Sequence, residues 1–216
     1  MVDLRLYALV DPERAGGHDL AELGREVVAG GATLVQLRDK HGSTRAMVEE
    51  ARRLRALLEP VPFVVNDRVD VALAAEADGV HLGQDDMTAA EARLLLGKTA
   101  IIGLSVKTVA QAREAPLELI DYVAIGGVYA TTSKDNTAAP IGIAGLREVV
   151  GALRMREPDF PICAIAGIDA GNAAEVIAAG ADGVAVISAL SRAGDPRAAA
   201  RELRGVVDDA LQKRPL

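Results

Sequence analysis

The residues best suited to chemistry in this 216-residue chain stand in short polar clusters that follow apolar runs. Gln36, Arg38 and Lys40 alternate along Gln36-Leu37-Arg38-Asp39-Lys40, so an extended backbone sends all three to one side. Three hydrogen-bond donors, two of them cations, then meet in one place. Arginine grips phosphate oxygens in bidentate fashion and lysine adds a point charge, which makes a pyrophosphate clamp; the bland alternative is a solvated basic strand end. Asn66-Asp67 and Gly83-Gln84-Asp85-Asp86 end two further apolar runs. Asp67 with Asp86 suits magnesium, which takes one or two protein carboxylates and completes its shell with water and substrate phosphate oxygens. Taken singly, Asp67 could equally cap a helix. Zinc would want clusters of His or Cys, which the chain lacks.

Ser105 closes the run Gly103-Leu104-Ser105, where it could face a ligand or only cap the next helix. No Ser-His-Asp arrangement is visible, since His18, His41 and His81 lie in unrelated settings and the Gly-x-Ser-x-Gly elbow is missing. His81 lies inside an apolar run and is expected to be a packed, satisfied histidine. Tyr129-Ala130-Thr131-Thr132-Ser133-Lys134 gathers hydroxyls and a cation that could close over a phosphate. Ala166-Gly167-Ile168 and Ile187-Ser188-Ala189 offer backbone amides where glycine lets the chain approach an anion.

Positioning such clusters requires a scaffold, and the pattern of the chain specifies one. Short β-branched runs alternate with Ala/Leu/Glu/Arg-rich amphipathic stretches, the signature of βα units on a parallel sheet. Strands are expected at Leu4–Val10, Thr33–Leu37, Phe63–Val65, Gly79–Leu82, Ala100–Leu104, Tyr122–Ile125, Ile162–Ile165 and Gly183–Ile187, each followed by a helix, with a short helical turn after the eighth strand. The best-marked helix is Thr44–Leu58, where Met47, Val48, Ala51, Leu54 and Leu58 form one stripe. Asp195-Pro196 opens the last helix as a cap followed by proline. GGATLVQL, EADGVHLG, LIDYVAIG and GADGVAVI recur at every second strand, at about 45 residues per pair of βα units. The expectation is a single (β/α)8 TIM barrel over residues 1–216, with every polar cluster at a C-terminal strand tip. A doubly wound sheet is the alternative, but VDPERAGG after the first strand is no dinucleotide fingerprint.

Composition narrows the function further. With 50% hydrophobic residues and 2% aromatics, the core is built from Ala, Val, Ile and Leu. A net charge of −7 argues against a nucleic-acid or anionic-membrane face, so anions must be held locally. Cys163, the one cysteine, sits in an apolar run and reads as a small hydrophobe. No basic leader or apolar run of roughly 20 residues is present, and the expected compartment is the cytoplasm.

In order, these motifs resemble the thiamine phosphate synthase (thiamine-phosphate pyrophosphorylase) family along essentially the whole chain. The resemblance implies condensation of 4-amino-5-hydroxymethyl-2-methylpyrimidine diphosphate with 4-methyl-5-(2-phosphoethyl)thiazole, plain or carboxylated, giving thiamine phosphate and pyrophosphate with magnesium. It implies that Gln36, Arg38, Lys40 and Asn66 hold the pyrimidine and its pyrophosphate, that Asp67 and Asp86 bind the metal, and that Ser105 lies beside the pyrimidine. Lys134 would meet the pyrophosphate, and Thr131, Ser133, Gly167, Ile187 and Ser188 the thiazole phosphate; Arg38, Lys40, Ser105 and Lys134 would carry the catalysis. The strand-six loop departs from the family's usual aromatic, Pro and Thr-x-Thr-Lys, and Ala166-Gly167 stands where Gly-Gly is frequent. The related thiazole tautomerases carry a His two residues after the strand-five serine, where this chain has Lys107. A non-catalytic phosphate-ligand sensor would not need the two aspartates.

Overall fold

No charged residue occurs in any of the eight strands, because each is covered on both faces. The computed structural model describes residues 1–132 and 139–214. Along the chain these form β1 (Leu6–Val10), α1 (Leu20–Ala29), β2 (Leu34–Leu37), α2 (Thr44–Leu58), β3 (Phe63–Asn66), α3 (Val69–Ala74), β4 (Gly79–Leu82), α4 (Ala89–Leu96) and β5 (Ile101–Val106). There follow α5 (Val109–Glu114), β6 (Tyr122–Gly126), α6 (Gly142–Arg154), β7 (Ile162–Ile165), α7 (Ala173–Ala178), β8 (Gly183–Val186), α8 (Ser188–Ser191) and α9 (Pro196–Lys213). All eight strands pair in parallel and in sequence order, and β8 returns to β1 to close the barrel.

Every expected strand is present. The differences lie at the ends: Leu4 is a buried plug below β1 and not part of it, and Ser105 stands inside β5, one residue before its end. The short turn expected after β8 is α8. Asp195 accepts from the Ala198 N–H at 3.0 Å and caps α9 ahead of Pro196.

Strand periodicity sorts the core into two layers. Outward residues such as Leu6, Val35, Phe63, Val80, Ile102, Val123 and Val184 pack under the helices. Inward residues, Tyr7, Leu9, Leu34, Val64, Tyr122, Ala124, Cys163, Ile165 and Ala185 among them, fill the barrel's own interior. Cys163 is wholly buried there, as its apolar neighbours in sequence imply. Two tyrosines fit because glycine faces them: a Cβ on Gly103 would lie 2.1 Å from Tyr122 Cζ and 2.6 Å from His81 Nδ1.

The fourfold repeat has a physical counterpart at the N-terminal ends of the strands. Residues just before β4, β6 and β8, namely Asp78, Asp121 and Asp182, each accept the backbone N–H of the neighbouring odd strand, from Phe63 at 2.8 Å, Ile102 at 2.8 Å and Ile162 at 2.9 Å. Thr33, before β2, does the same for Leu6 at 3.1 Å. An arginine from the preceding even unit fastens each corner. Arg55 meets Asp78 at 3.5 Å, Arg93 meets Asp121 at 2.8 Å, and Arg154 meets Asp182 at 2.7 Å. Arg204 instead donates to the Gly31 carbonyl at 2.8 Å, matching the neutral threonine in that quarter.

Candidate active site

Continuing the inward register past the strand tips lifts polar residues above the apolar plug. On β2 and beyond, Gln36, Arg38 and Lys40 all turn toward the barrel mouth, as alternation requires. Gln36 is buried and donates its amide N–H to the Tyr7 hydroxyl. Arg38 is also buried, and a salt bridge to Asp11 fixes it. Asp11 lies just beyond β1, in register with Tyr7 and Leu9, and further accepts the Glu13 N–H at 2.9 Å, so its carboxylate is held from two sides. A buried guanidinium needs such a partner, because an unpaired charge out of water is costly.

Lys40 is more exposed and pairs with Asp67. Asp67 follows β3 with φ of 61°, a left-handed conformation that aspartate tolerates, and its N–H donates to the His81 carbonyl at 2.8 Å. It does not cap a helix: the residue preceding α3 is Arg68, which makes no side-chain cap bond. Across from it, Asp86 folds back over its own turn and accepts the Gly83 N–H at 2.7 Å. A Cβ on Gly83 would lie 2.8 Å from that carboxylate oxygen and would push the Asp86 side chain out of this turn. Burial raises Asp67 above its ordinary proton affinity, and the neighbouring Asp86 carboxylate raises it further against the pull of Lys40. Two converging carboxylates with one of them reluctant to ionise form a donor set that a divalent cation relieves, and its oxygen character suits magnesium.

These groups surround a cavity of about 510 Å³ whose lining includes Arg38, Lys40, Asn66, Asp67, His81, Asp86 and Ser105. His81 forms part of its floor while being satisfied on both ring nitrogens, with Nδ1 3.0 Å from Tyr122 Oη and Nε2 2.8 Å from Ser105 Oγ. Gln84 donates to the Ser105 carbonyl at 2.6 Å and ties the β4 tip to β5. Two buried atoms in this region have no partner among the described residues, Gln36 Oε1 and Asn66 Nδ2. One is an acceptor and the other a donor.

A second cavity, of about 570 Å³, opens over the tips of β7 and β8 and is lined by Thr131, Thr132, Gly167, Ile168, Ser188 and Arg192, among others. Beneath it a small cleft of about 20 Å³ reaches Ile165 and Ile187. Gly167 has φ of 67°, and a Cβ on it would lie 2.6 Å from the Ala130 carbonyl oxygen and 2.6 Å from Tyr129 Cβ. Glycine here admits the start of the strand-six loop, which is stitched to β7 by Val128 N–H to Ile165 O at 3.2 Å and Tyr129 N–H to Ala166 O at 3.0 Å. Ser188 begins α8. A bridging hollow of about 330 Å³ touches Ser105, Lys107, Gly126 and Ala166 and lies between the two cavities.

The sequence-derived residues therefore fall into two groups on one barrel mouth. Gln36, Arg38, Lys40, Asn66, Asp67, Asp86 and Ser105 gather on the β2–β5 side, and Thr131, Gly167, Ile187 and Ser188 on the β7–β8 side. Ser133 and Lys134 lie outside the described residues. Sequence reasoning passed over Asp11, Tyr7 and Tyr122, which announce themselves only through the inward register, and over Arg192, which follows the β8 tip by six residues. Among the described residues no group of three or more His, Cys, Asp or Glu converges for a metal. No helix among the described residues is long and apolar enough to cross a membrane.

Comparison with known proteins places these features in a family. The profile described as thiamine monophosphate synthase matches residues 6–190. A thiamine-phosphate synthase of Agrobacterium fabrum is 52% identical over 215 residues, covering 99% of this chain and 98% of the relative. A thiamine-phosphate synthase of Chloroflexus aurantiacus is 47% identical, covering 99% and 97%. The solved structure of a thiamine phosphate pyrophosphorylase from Pyrococcus furiosus superposes with a TM-score of 0.85 at 40% identity, covering 97% of this chain and 98% of that one.

Proposed function

The chain belongs to the thiamine monophosphate synthase family, whose activity is a transfer with release of pyrophosphate, and from this premise we propose a complete reaction and the roles of its residues. The substrates are the hydroxymethylpyrimidine diphosphate and the phosphoethylthiazole, and the products are thiamine phosphate and pyrophosphate. The observation that carries this assignment is the pairing, on one mouth, of a cation-and-carboxylate cavity at β2–β5 with a separate cavity at β7–β8. A one-substrate isomerase would need only the second. Lys107, where tautomerases carry histidine, agrees with the synthase reading.

Magnesium held by Asp67 and Asp86 would neutralise charge on the departing pyrophosphate. Arg38 and Lys40 grip the same group, Lys40 from beside Asp67, so the leaving charge is met by preorganised cations. Gln36 Oε1 and Asn66 Nδ2, the unpartnered acceptor and donor, match the amino group and ring nitrogen of a 4-aminopyrimidine. Bond breaking precedes bond making: a pyrimidinylmethyl cation forms and the thiazole nitrogen attacks it. Thr131, Gly167, Ile187 and Ser188 hold the thiazole phosphate so that its nitrogen faces the cation, with Ser133 assigned to the same phosphate and Lys134 to the pyrophosphate. Positioning and electrostatics carry the rate, and no protein nucleophile is used.

Incubating the protein with both substrates and magnesium tests this directly, with thiamine phosphate as the readout. Product that requires magnesium is expected. Tight thiazole phosphate binding without product would overturn the synthase reading in favour of a phosphate-ligand sensor. Asp86→Ala should abolish turnover and leave thiazole phosphate affinity within about twofold, since the two cavities are held by different strands.

A further inference from the structure

A line of five polar side chains crosses the barrel interior beneath the site. Gln36 on β2 donates to Tyr7 on β1; Tyr7 Oη lies 2.7 Å from Tyr122 Oη on β6; Tyr122 Oη lies 3.0 Å from His81 Nδ1 on β4; and His81 Nε2 lies 2.8 Å from Ser105 Oγ on β5. Both phenols are completely buried, and burial holds each well above the ordinary tyrosine range, so both keep their protons. The planes of His81 and Tyr122 stack at 24° with centroids 5.5 Å apart, while Tyr7 meets Tyr122 edge-on at 87°. Packing thus fixes the heavy atoms, and only the protons remain to be placed.

Their placement follows from counting. Each phenol has one proton to give. Tyr7 receives from the Gln36 amide, and the other hydroxyl it meets among the described residues is Tyr122, so its proton goes there. Were the order reversed, the buried Tyr7 hydroxyl proton would have no oxygen or nitrogen acceptor among the described residues, at a cost that native interiors avoid. Tyr122, already accepting, must then give its proton to His81 Nδ1. With Nδ1 an acceptor, neutral His81 carries its proton on Nε2 and donates to Ser105 Oγ. Ser105 is left with its own hydroxyl proton aimed away from His81, toward the hollow it lines.

We propose that Tyr122 is a positioning residue that locks His81 as the Nε2–H tautomer, making Ser105 a fixed hydrogen-bond donor to the pyrimidine substrate. The geometry superficially matches a Ser-His nucleophile pair, but the polarity is opposite, because the histidine gives a proton to the serine and does not take one. The identity of the acceptor rests on the synthase reading; the tautomer does not. A pyrimidine offering an acceptor atom at the Ser105 hydroxyl is favoured over one offering a donor there, so the wire acts on substrate selection from the far side of the barrel.

The test begins without substrate. Long-range 15N–1H correlation on the ligand-free protein at pH 8, with His81 assigned by loss of its signals in His81→Gln, should report the Nε2–H tautomer. An Nδ1–H tautomer overturns the proposal, whatever the protein catalyses. Tyr122→Phe removes the donor to Nδ1 and should give a mixed tautomer. Turnover of pyrimidine diphosphate should fall about tenfold, the loss of roughly one hydrogen bond in the transition state, with KM for the thiazole phosphate unchanged. Combining Tyr122→Phe with Ser105→Ala should cost no more than Ser105→Ala alone, because both act through one hydroxyl. A folded Tyr122→Phe protein with the native tautomer, or fully additive effects, would overturn it. Tyr7→Phe provides a second break one link upstream if Tyr122→Phe does not fold. Failure of the synthase reading would show as absent product with the Nε2–H tautomer intact.

Discussion

Arg38 and Lys40 are each paired with a carboxylate before any anion arrives, and the two pairs differ in what they must withstand. The Arg38–Asp11 pair is almost wholly removed from water, with side-chain exposures of 10% and 2%, whereas Lys40 stays 44% exposed. Breaking a buried pair leaves an uncompensated charge, so Asp11→Ala should lose about 3 kcal/mol of stability. An anion that binds Arg38 would then take the place of the missing carboxylate. Pyrophosphate should therefore stabilise Asp11→Ala against denaturant more than it stabilises the parent protein, and equal stabilisation would mean that Arg38 is not reached by the anion. At this scale the sequence was partly legible. Gln36, Arg38 and Lys40 could be grouped because alternation is a local rule, whereas Asp11 stands alone in VDPERAGG and looks like a turn residue. His81 was read as packed and satisfied, and it is; that it also floors the cavity depends on a tyrosine 41 positions away.

Strands and their loops face a different constraint, that of space. The barrel interior is filled by side chains from all sides, so a large residue on one strand needs a small one opposite. Gly103 is small because the Tyr122 ring fills the volume in front of it. Gly103→Ala should destabilise by about 3 kcal/mol, at the upper end for overpacking, because a buried ring enclosed by strands has nowhere to move. Equilibrium unfolding measures this, and an unchanged midpoint would show that β5 can shift outward. The eight strands were recognisable as β-branched runs, yet their limits were not, since strand ends are set by pairing across the closed sheet and not by composition. The Ala166-Gly167 variation has a backbone consequence. Ala166 adopts φ of 92°, a region where L-residues are strained, beside a glycine that must stay small for the strand-six loop. Ala166→Gly should raise stability by up to about 1 kcal/mol, read as a higher melting temperature.

The molecule as a whole separates its chemistry from its anchorage. Ligand-directed groups occupy the C-terminal ends of the strands, and the carboxylate corners of Asp78, Asp121 and Asp182 occupy the other end. Asp182 holds the Ile162 N–H and also Arg154 and Arg214, the latter at 3.0 Å from the end of α9. Asp182→Asn keeps an acceptor for the backbone but loses the charge for both arginines, so about 2 kcal/mol should be lost and the melting temperature should fall by about 4–8 °C. Turnover at 25 °C should be unaffected, and a large fall in kcat would contradict the separation of the two ends. The repeat that marked these corners was visible as a recurring turn before every second strand; its purpose was not, because the partner of each carboxylate lies on the preceding strand.

Those corners join β1 to β2, β3 to β4, β5 to β6 and β7 to β8, whereas among the described residues no corner of this kind spans the bases of the β2–β3, β4–β5, β6–β7 and β8–β1 seams. The closed sheet is in effect four riveted cassettes laid edge to edge. Its breathing should follow the same partition: amide deuteration at the strand bases should enter first along the unriveted seams and last within the cassettes, so that the ring loosens in quarters.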